Sequence, residues 1–395
     1  MPTNADGTMG FRQNNDLFYL TGVDQEETIL VLAPDHPDPA LRQVLFVRET
    51  NEQIAVWEGE KLSKAQAKQT SGIDQIKWTS EFENTFRQII FEVDSVYLNI
   101  NEERGAGIVQ SRDARFIEIF KQQFPLHPLQ RLAPLMRQLR VVKSQPEITL
   151  LQTAIDITEK ALRRVLNFVK PGVWEFEIEA ELSHTYLSNR ARGHAFQPIV
   201  AAGKNACVLH YLDNHAQCQN GDLVLIDTGA EYANYNADLT RTLPVNGRFS
   251  PRQRQIYDAV LRIQHQAKAM LKAGTLFVNY NQEMQKIVES ELIELKLLDK
   301  VAIENQNKDA PLCRRYLPHG LSHHLGLDVH DVGNRYLPMQ AGMVFTCEPG
   351  IYIPEEGIGI RLENNILITQ NGNIDLTANV PIEAEEIETL MNQRP

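Results

Sequence analysis

Four acidic residues and one histidine interrupt apolar, strand-forming runs in the second half of this chain, and they constrain its fold more than any other feature. They are Asp227 in LVLIDTGAEY, Asp238 in NADLTRT, His323 in HGLSHHLGLDVHD, Glu348 in FTCEPGIY and Glu363 in GIGIRLENNI. A charge in such a run is costly unless a cation or another partner compensates it. Two divalent cations would balance four carboxylates, so the set predicts a site for a pair of metal ions. Oxygen ligands with a single imidazole favour harder or borderline ions such as manganese over thiolate-seeking ones.

The sequence brings the first two acids together. Asp227 ends an apolar run, and Asp238 opens a β-branched run that contains Thr240 and Thr242. The polar stretch between the acids, TGAEYANYNA, is long enough to reverse the chain. We therefore expect both acids on neighbouring strands.

Glu348 and Glu363 repeat this arrangement. The segment PGIYIPEEG turns the chain between them, and Gly359, Arg361 and Glu363 share one strand face by the strand period of two. Any one of the acids, taken alone, is better explained as a strand-end residue or a member of a salt bridge. The set taken together predicts a two-metal clamp.

With these residues the chain resembles the M24 metallopeptidases of the pita-bread fold, and within them the Xaa-Pro aminopeptidase (aminopeptidase P) subgroup. Its five acid and histidine positions match the metal ligands of that family in order and in local context. The segment VLHYLDN resembles the substrate-side histidine segment and places it at His210. The block HGLSHHLGLDVHDVG matches the one that carries His319, the ligand His323 and His330. The segment RQNNDLFYLTG resembles the amino-terminal domain of the same subgroup.

The resemblance implies an α+β protein of two domains, which is also the default for a chain of 395 residues. A creatinase-like, ribonuclease H-like α/β domain is expected over residues 1–130, and a linker over residues 131–146. The catalytic pita-bread domain is expected over residues 147–395. Little more than ten residues precede RQNNDLFYLTG, so the first domain is expected to be shortened at its start.

The resemblance also implies a mechanism that uses two divalent metal ions, with Mn²⁺ as the expected metal. Asp238 and Glu363 would bridge the ions, Asp227 would complete one, and His323 and Glu348 would complete the other. A hydroxide shared by the two ions would attack the peptide carbonyl. Glu348 would carry the proton from water to the leaving nitrogen.

Further catalytic roles come from the resemblance. His330 would donate a hydrogen bond to the substrate or to the tetrahedral intermediate. His210 and His319 would line the substrate pocket, although each histidine alone is more often a structural residue. Arg361 lies two residues from the last acid of the set and would orient the first one with help from Tyr352.

Substrate choice follows from the family alone, since no spacing in the chain demands proline after the scissile bond. Prolidases usually carry glycine where Ser322 stands, so the resemblance favours an aminopeptidase acting on peptides with proline at the second position. A prolidase is the alternative activity, and a metal-free binding module on the same scaffold is a further one. No GxSxG motif supports a serine hydrolase.

Composition agrees with a cytoplasmic enzyme. The net charge of −12 argues against nucleic acid or an anionic membrane as a partner. No apolar run could span a bilayer, and the start MPTNADGTMG predicts no secretory signal. The four cysteines show no CxxC spacing and are expected to be reduced. The resemblance implies a homodimer or homotetramer.

Local patterns predict strands over residues 27–33, 42–49, 54–58 and 95–100, and helices over residues 79–91, 112–124, 175–191, 250–272 and 279–298. A long helix is expected to begin after Ser144 as its N-cap and to end before Lys170-Pro171-Gly172. His324 follows a predicted ligand directly along a strand, so its side chain should face away from the metals.

Overall fold

The computed structural model describes residues 10–100 and 110–393. The chain divides into two units, Met1–Arg140 and Val141–Pro395. The segment predicted as a linker, residues 131–146, contains the helix Ala133–Arg140, and the division falls within that segment. The domain bounds given above stay a prediction, and the expected shortened start lies in residues 1–9, outside the described part.

The first unit combines helices with short strands. Its helices are α1 Asn15–Thr21, α2 Glu52–Glu58, α3 Lys64–Ser71, α4 Phe82–Ile90, α5 Arg112–Gln123 and α6 Ala133–Arg140. Its strands are β1 Ile29–Leu32, β2 Gln43–Val47, β3 Gln75–Trp78, β4 Val96–Leu98 and β5 Leu129–Arg131. Strand β2 pairs antiparallel with β1 and parallel with β3, and β4 pairs parallel with β5.

Both faces of the β1–β3 sheet are covered. Val44 and Phe46 of β2 enter one apolar cluster, whereas Leu45 and Val47 enter another. This alternation follows from the strand period of two, and it explains why β2 has almost no polar residue.

The prediction of a strand over residues 54–58 was wrong, because these residues belong to helix α2. The Asn51 side chain accepts a hydrogen bond from the Ile54 backbone and begins the helix, and Gly59 ends it with a φ of +78°, which favours glycine. Val56 and Trp57 are exposed, so the apolar run that suggested a strand does not mark a buried element.

The second unit holds the remaining elements. Its helices are α7 Gln145–Phe168, α8 Glu175–Ser188, α9 Pro251–Met270, α10 Phe277–Glu294, α11 Lys300–Glu304 and α12 Ala384–Asn392. The strands β6 to β11 are Gly193–His194, Ile199–Ala202, Leu223–Thr228, Ala230–Tyr232, Tyr235–Asn236 and Leu239–Pro244. The strands β12 to β16 are Val344–Cys347, Gly350–Ile353, Ile358–Arg361, Asn364–Thr369 and Gly372–Asp375. They form small sheets in the orders β10-β9-β6, β11-β8-β7, β12-β15-β16 and β13-β14.

Helix α7 begins as the sequence predicts. Ser144 and Glu147 form a reciprocal capping box, and Pro146 lies in the first turn. Its apolar stripe, with that of α9 and α10, packs into the main core of the second unit. The mixed helix and strand content confirms the predicted fold class.

Two expectations from composition can be compared with the structure. None of the helices within residues 10–100 and 110–393 is long and apolar enough to cross a membrane. The four cysteines are free thiols.

Candidate functional site

The first two acids lie on a pair of adjacent strands, as predicted. Strands β8 and β11 are antiparallel, with Asp227 opposite Thr240, and Asp238 directly precedes β11. Leu225, two residues before Asp227, faces an apolar cluster that contains Tyr352, whereas its neighbours on β8 enter the main core. The strand period therefore turns Asp227 away from the core and toward this second cluster.

The backbone around these acids is tightly packed at Gly229. A Cβ atom at this position would lie 1.7 Å from the Ala237 carbonyl oxygen. A glycine is therefore needed for the two chain segments to approach each other next to Asp227 and Asp238.

Glu348 and Glu363 lie where the chain passes between two sheets. Glu348 separates β12 from β13, and Glu363 separates β14 from β15. Strand β12 pairs with β15, and β13 pairs with β14, so the acids occupy matching positions on neighbouring chain segments. The Glu363 backbone N–H also donates to the Thr240 carbonyl at 3.1 Å, which joins this corner to β11.

His323 lies on an irregular segment that runs beside β12. Its backbone N–H donates to Thr346 Oγ1 at 3.0 Å, and its carbonyl accepts from the Thr346 backbone at 2.9 Å. Nδ1 lies 3.0 Å from the His324 carbonyl and must donate to it, so Nε2 presents a lone pair to the acids in the neutral ring. The His324 ring stacks on Phe345 with centroids 4.3 Å apart and does not line the pocket, as the strand alternation predicts.

The acids and His323 are close enough to share cations. His323 Nε2 lies 3.3 Å from Asp238 Oδ2 and 3.6 Å from Glu348 Oε1. Ligand atoms of Asp238, His323 and Glu363 all lie within 4.8 Å of one another. Asp227 Oδ1 is buried and has no hydrogen-bond partner among the described residues.

Burial dominates the electrostatics of the carboxylates. It raises the pKa of Asp238 to about 6, against the hydrogen bond from His323. It raises the pKa of Glu348 to about 7 and that of Glu363 well above its ordinary value, with repulsion from Asp238 adding to the shift at Glu363. Burial alone would lower the pKa of His323, but hydrogen bonding to Asp238 raises it to about 9. These shifts are typical of anionic groups crowded together without enough positive charge, so the residues fit divalent cations.

A chain of hydrogen bonds joins Asp227 to His319. Arg361 donates from Nη2 to Asp227 Oδ2 at 2.5 Å and from Nη1 to the Tyr352 hydroxyl at 2.8 Å. The Tyr352 hydroxyl lies 2.8 Å from His319 Nε2, and His319 Nδ1 lies 2.7 Å from the Gly320 carbonyl. Because that carbonyl can only accept, His319 carries its proton on Nδ1 and accepts from Tyr352. Burial, with help from Arg361, lowers the pKa of His319 to about 4, which agrees with a neutral ring.

All nine residues predicted for the site line one cavity of about 510 Å³. His330 stacks on His323 with ring centroids 4.0 Å apart, and burial and His323 lower its pKa to about 4. His210 lines the same cavity from the loop between β7 and β8. The apolar side chains of the wall are those of Phe196, Ile199, Leu209, Leu212 and Val329. A polar, acidic floor and an apolar wall suit a small peptide with a hydrophobic residue.

Two residues that the sequence patterns did not identify, Thr240 and Asn365, form hydrogen bonds that hold the acids in place. Thr240 donates from Oγ1 to Glu363 Oε2 at 2.7 Å and accepts from Arg361 Nε at 3.0 Å. Asn365 bonds to both the backbone N–H and the carbonyl of Asp238. Thr240 lies two residues after Asp238, so strand alternation could have identified it.

Arg241 also supports the acids and is 2% exposed. Burial lowers its pKa to about 10. Its guanidinium donates to the carbonyls of Thr240 at 2.8 Å, Glu363 at 2.7 Å, Val380 at 3.4 Å and Pro381 at 2.7 Å, and to Asn364 Oδ1 at 2.9 Å. All five donors of the group thus have buried acceptors.

Comparison with known proteins places this fold and site in a class. Residues 149–370 match the model of metallopeptidase family M24, and residues 1–97 match that of the aminopeptidase P N-terminal domain. The fold, together with the acid-rich pocket, therefore defines a pita-bread metallopeptidase that carries an aminopeptidase P-type domain ahead of the catalytic one.

Comparison with individual proteins gives the same class. The chain is 36% identical to the Xaa-Pro aminopeptidase of Escherichia coli K12, over 98% of this chain and 90% of that protein. Among solved structures it resembles proline aminopeptidase P II from Yersinia pestis, with a TM-score of 0.87 and 34% identity over 99% of this chain and 92% of that one. It also resembles zinc-substituted E. coli aminopeptidase P in complex with product, with a TM-score of 0.86 and 36% identity over 99% and 91% of the two chains. The chain belongs to metallopeptidase family M24 and is a metallo-aminopeptidase, as the resemblance predicts.

Proposed function

We propose that this chain is an Xaa-Pro aminopeptidase that removes the amino-terminal residue from peptides with proline at the second position. We propose two divalent cations per chain as its cofactors, with Mn²⁺ as the native metal. The observation that carries the proposal is the convergence of four acids and His323, all largely buried, in one peptide-sized pocket. The names of the matched relatives support the specificity.

The metal ligands that we propose follow the order of the sequence motifs. Asp227 would hold one ion, His323 and Glu348 the other, and Asp238 and Glu363 both. The unpartnered Oδ1 of Asp227 and the orientation of His323 Nε2 toward Asp238 and Glu348 support this choice. Two such ions, when bound, would lower the pKa of a water toward neutrality and polarise the substrate carbonyl.

The protein groups around the ions would then move protons and hold the substrate. Glu348 Oε1 lies 3.6 Å from His323 Nε2, and Glu348 Oε2 lies 3.6 Å from His319 Nδ1. The carboxylate therefore lies between these two histidines of the pocket. We assign it the transfer of a proton from water to the leaving proline nitrogen. His330 is neutral near pH 7 and can donate a hydrogen bond to the carbonyl oxygen as negative charge develops on it.

Orientation of the acids is the role that we assign to Arg361 and Tyr352. Their hydrogen bonds fix Asp227 at one end and His319 at the other, so the two groups keep a constant relative position. His210 and His319 would contact the substrate, and the apolar wall would receive the proline ring.

Hydrolysis of matched small peptides tests the proposal. Protein stripped of metal and reloaded with manganese should release alanine from Ala-Pro-Ala much faster than from Ala-Pro or Ala-Ala-Ala. The metal-free protein and a Glu348→Gln variant should be inactive. Faster cleavage of Ala-Pro would identify a prolidase instead. Failure to cleave any of the peptides, with metal bound, would favour a binding module.

We further propose a cytoplasmic homodimer or homotetramer, following the family resemblance. Analytical ultracentrifugation of the purified protein tests the assembly, and a monomer at micromolar concentration would contradict it.

A further inference from the structure

The loop between β7 and β8 carries His210 and part of the apolar pocket wall. It begins with a single 3-10 turn, Gly203–Cys207, and then lacks regular structure. Residues 209–215 form no backbone–backbone hydrogen bonds to any described residue. The His210 imidazole likewise has no hydrogen bond within residues 10–100 and 110–393. The position of His210 over the pocket therefore depends on the packing of Leu209 and Tyr211 against the apolar cluster that contains Tyr352, and on a hydrogen-bonded anchor.

That anchor is the carboxylate of Glu175, the first residue of α8. Glu175 is 0% exposed, and each of its oxygens accepts two hydrogen bonds. Oε1 accepts from the Ala202 backbone at 2.7 Å and from Asn205 Nδ2 at 3.2 Å. Oε2 accepts from the Tyr211 hydroxyl at 2.8 Å and from the Ala216 backbone at 2.8 Å. The four donors come from both sides of His210, so one carboxylate holds both ends of the loop.

A buried carboxylate of this kind is costly unless its charge is satisfied. No lysine, arginine or histidine of the described residues forms an ion pair with Glu175. Its charge is instead compensated by the four donors and by the N-terminal end of α8, a helix of 14 residues. A neutral side chain would remove that charge and leave at least one of the loop donors without an acceptor.

Glu179, one helical turn later, makes a second and weaker attachment. Asn214 donates from Nδ2 to Glu179 Oε2 at 2.9 Å and to the Pro198 carbonyl at 2.9 Å, and its Oδ1 accepts from the Val200 backbone at 3.0 Å. Asn214 is buried and has a φ of +45°. Its three hydrogen bonds hold this side of the loop. Of these bonds, Glu179 accepts only the one from Asn214 Nδ2. A glutamine side chain at position 179 could accept the same bond through its amide oxygen.

We propose that Glu175 is a positioning residue for the aminopeptidase reaction, which holds residues 203–217 so that His210 reaches the substrate. The inference rests on the proposed function, in which His210 contacts the peptide. Glu175 does not touch the substrate or the metals, and it acts only through the loop.

The test compares two Glu→Gln substitutions on the same helix. Glu175→Gln preserves side-chain shape but turns an NH₂ group toward donors that need an acceptor. Glu177→Gln is the matched control, because Glu177 accepts only the Trp174 backbone N–H at 2.7 Å, and an amide oxygen can replace that bond. Both variants change the net charge by the same amount at nearly the same place.

Three measurements are made on the manganese-loaded protein. Hydrogen–deuterium exchange should become faster across residues 203–217 in Glu175→Gln and stay unchanged in the control. The kcat/KM for Ala-Pro-Ala should fall roughly ten- to a hundredfold in Glu175→Gln alone, since a displacement of about 1 Å has effects of this size. Metal content, measured by elemental analysis, should not change.

A double-mutant cycle with His210→Ala separates positioning from general damage. If Glu175 acts through His210, adding Glu175→Gln to His210→Ala should lower kcat/KM by less than about threefold. A full additional loss in the double variant would overturn the inference, and so would unchanged exchange in the loop.

The exchange measurement does not depend on activity. A wild-type protein that cleaves none of the peptides would refute the proposed function, and with it the reaction role of Glu175, while the exchange data would still decide the anchoring. Should Glu175→Gln fail to fold, Tyr211→Phe removes a single bond to the same carboxylate. It should give a smaller change in the same direction, and unaltered exchange in that variant would refute the anchor.

Discussion

Metal binding should release protons. The metal-free site holds more protons than the same residues would hold at their ordinary pKa values. Burial and repulsion from Asp238 raise the pKa of Glu363 well above the ordinary value of 4.5, so this carboxylate keeps its proton to a higher pH than a free glutamate does. At pH 7 His323, with a pKa of about 9, should be protonated, and Glu348, with a pKa of about 7, should be about half protonated. All three are proposed ligands, and a ligand must give up its proton to bind a cation.

His323 and Glu348 alone should therefore release roughly one to two protons per chain on saturation with manganese at pH 7, and any proton held by Glu363 adds to this number. Correspondingly, the logarithm of the association constant should rise by about one to two per pH unit near pH 7. Ionisation of a bound water would add to the release, so the number is a minimum.

Isothermal titration calorimetry measures this number directly. Metal-free protein is titrated with manganese chloride in buffers of equal pH and different ionisation enthalpy, and the slope of the observed enthalpy gives the protons released. Glu355→Gln, a surface change at a residue paired with Arg315, is a suitable control and should leave the slope unaltered. A release below about one proton would show that the acids are already ionised in the metal-free protein, and the reasoning from burial would fail.

Three further predictions follow from the same site. Without metal, the melting temperature should fall as pH rises from about 6.5 to 9, because folded His323 keeps its proton up to a pKa of about 9 against an ordinary 6.5 and folded Glu348 keeps its proton up to about 7 against 4.5, and bound manganese should reverse that fall. Asp238→Ala should bind fewer than two manganese ions by elemental analysis, whereas Asp258→Ala on α9 should still bind two; a tightly held pair in the first variant would contradict bridging. His330→Ala should lower kcat roughly a hundredfold with little change in metal content, whereas His265→Ala, at a half-exposed site, should have no effect. Loss of metal from the His330 variant would make that residue a ligand.

The acidic set could be predicted because a charge inside an apolar strand is conspicuous in a sequence. The alternation along β8 turns Asp227 to the face opposite Ile226, and the same rule explains Thr240 after Asp238. The place of Glu348 and Glu363 was only partly foreseen. The hairpin between them exists, but each acid lies where its chain leaves one sheet for another, and a period of two cannot show such a change of sheet.

Other parts of the site were invisible in the sequence for a physical reason. Glu175 begins EFEIEAEL, a segment in which every second residue up to Glu181 is a glutamate, as on an ordinary solvent-exposed helix. Its burial is decided by loop donors up to 41 residues away, such as the Ala216 backbone. Arg241 sits between two threonines in the strand LTRTLP, where a polar run gives no sign of burial, and its acceptors lie as far as 140 residues along the chain. Local patterns carry no information about partners at such distances. The helix over residues 52–58 was missed for the opposite reason, since a short apolar run outweighed the capping signal of Asn51.

The hydrogen bonds of Arg241 have a consequence for the order in which the site can assemble. One side chain binds the backbone of Glu363 and also the carbonyls of Val380 and Pro381. During synthesis, a nascent chain that has emerged only as far as Glu363 already contains every proposed ligand. The Arg241 guanidinium, however, still lacks the carbonyls of Val380 and Pro381 as acceptors. The backbone around the last acid therefore gains its full set of hydrogen-bonded supports only after the segment around Pro381 has left the ribosome. Metal capture on a translating ribosome should accordingly be a late event, delayed until nearly the whole catalytic unit has been made.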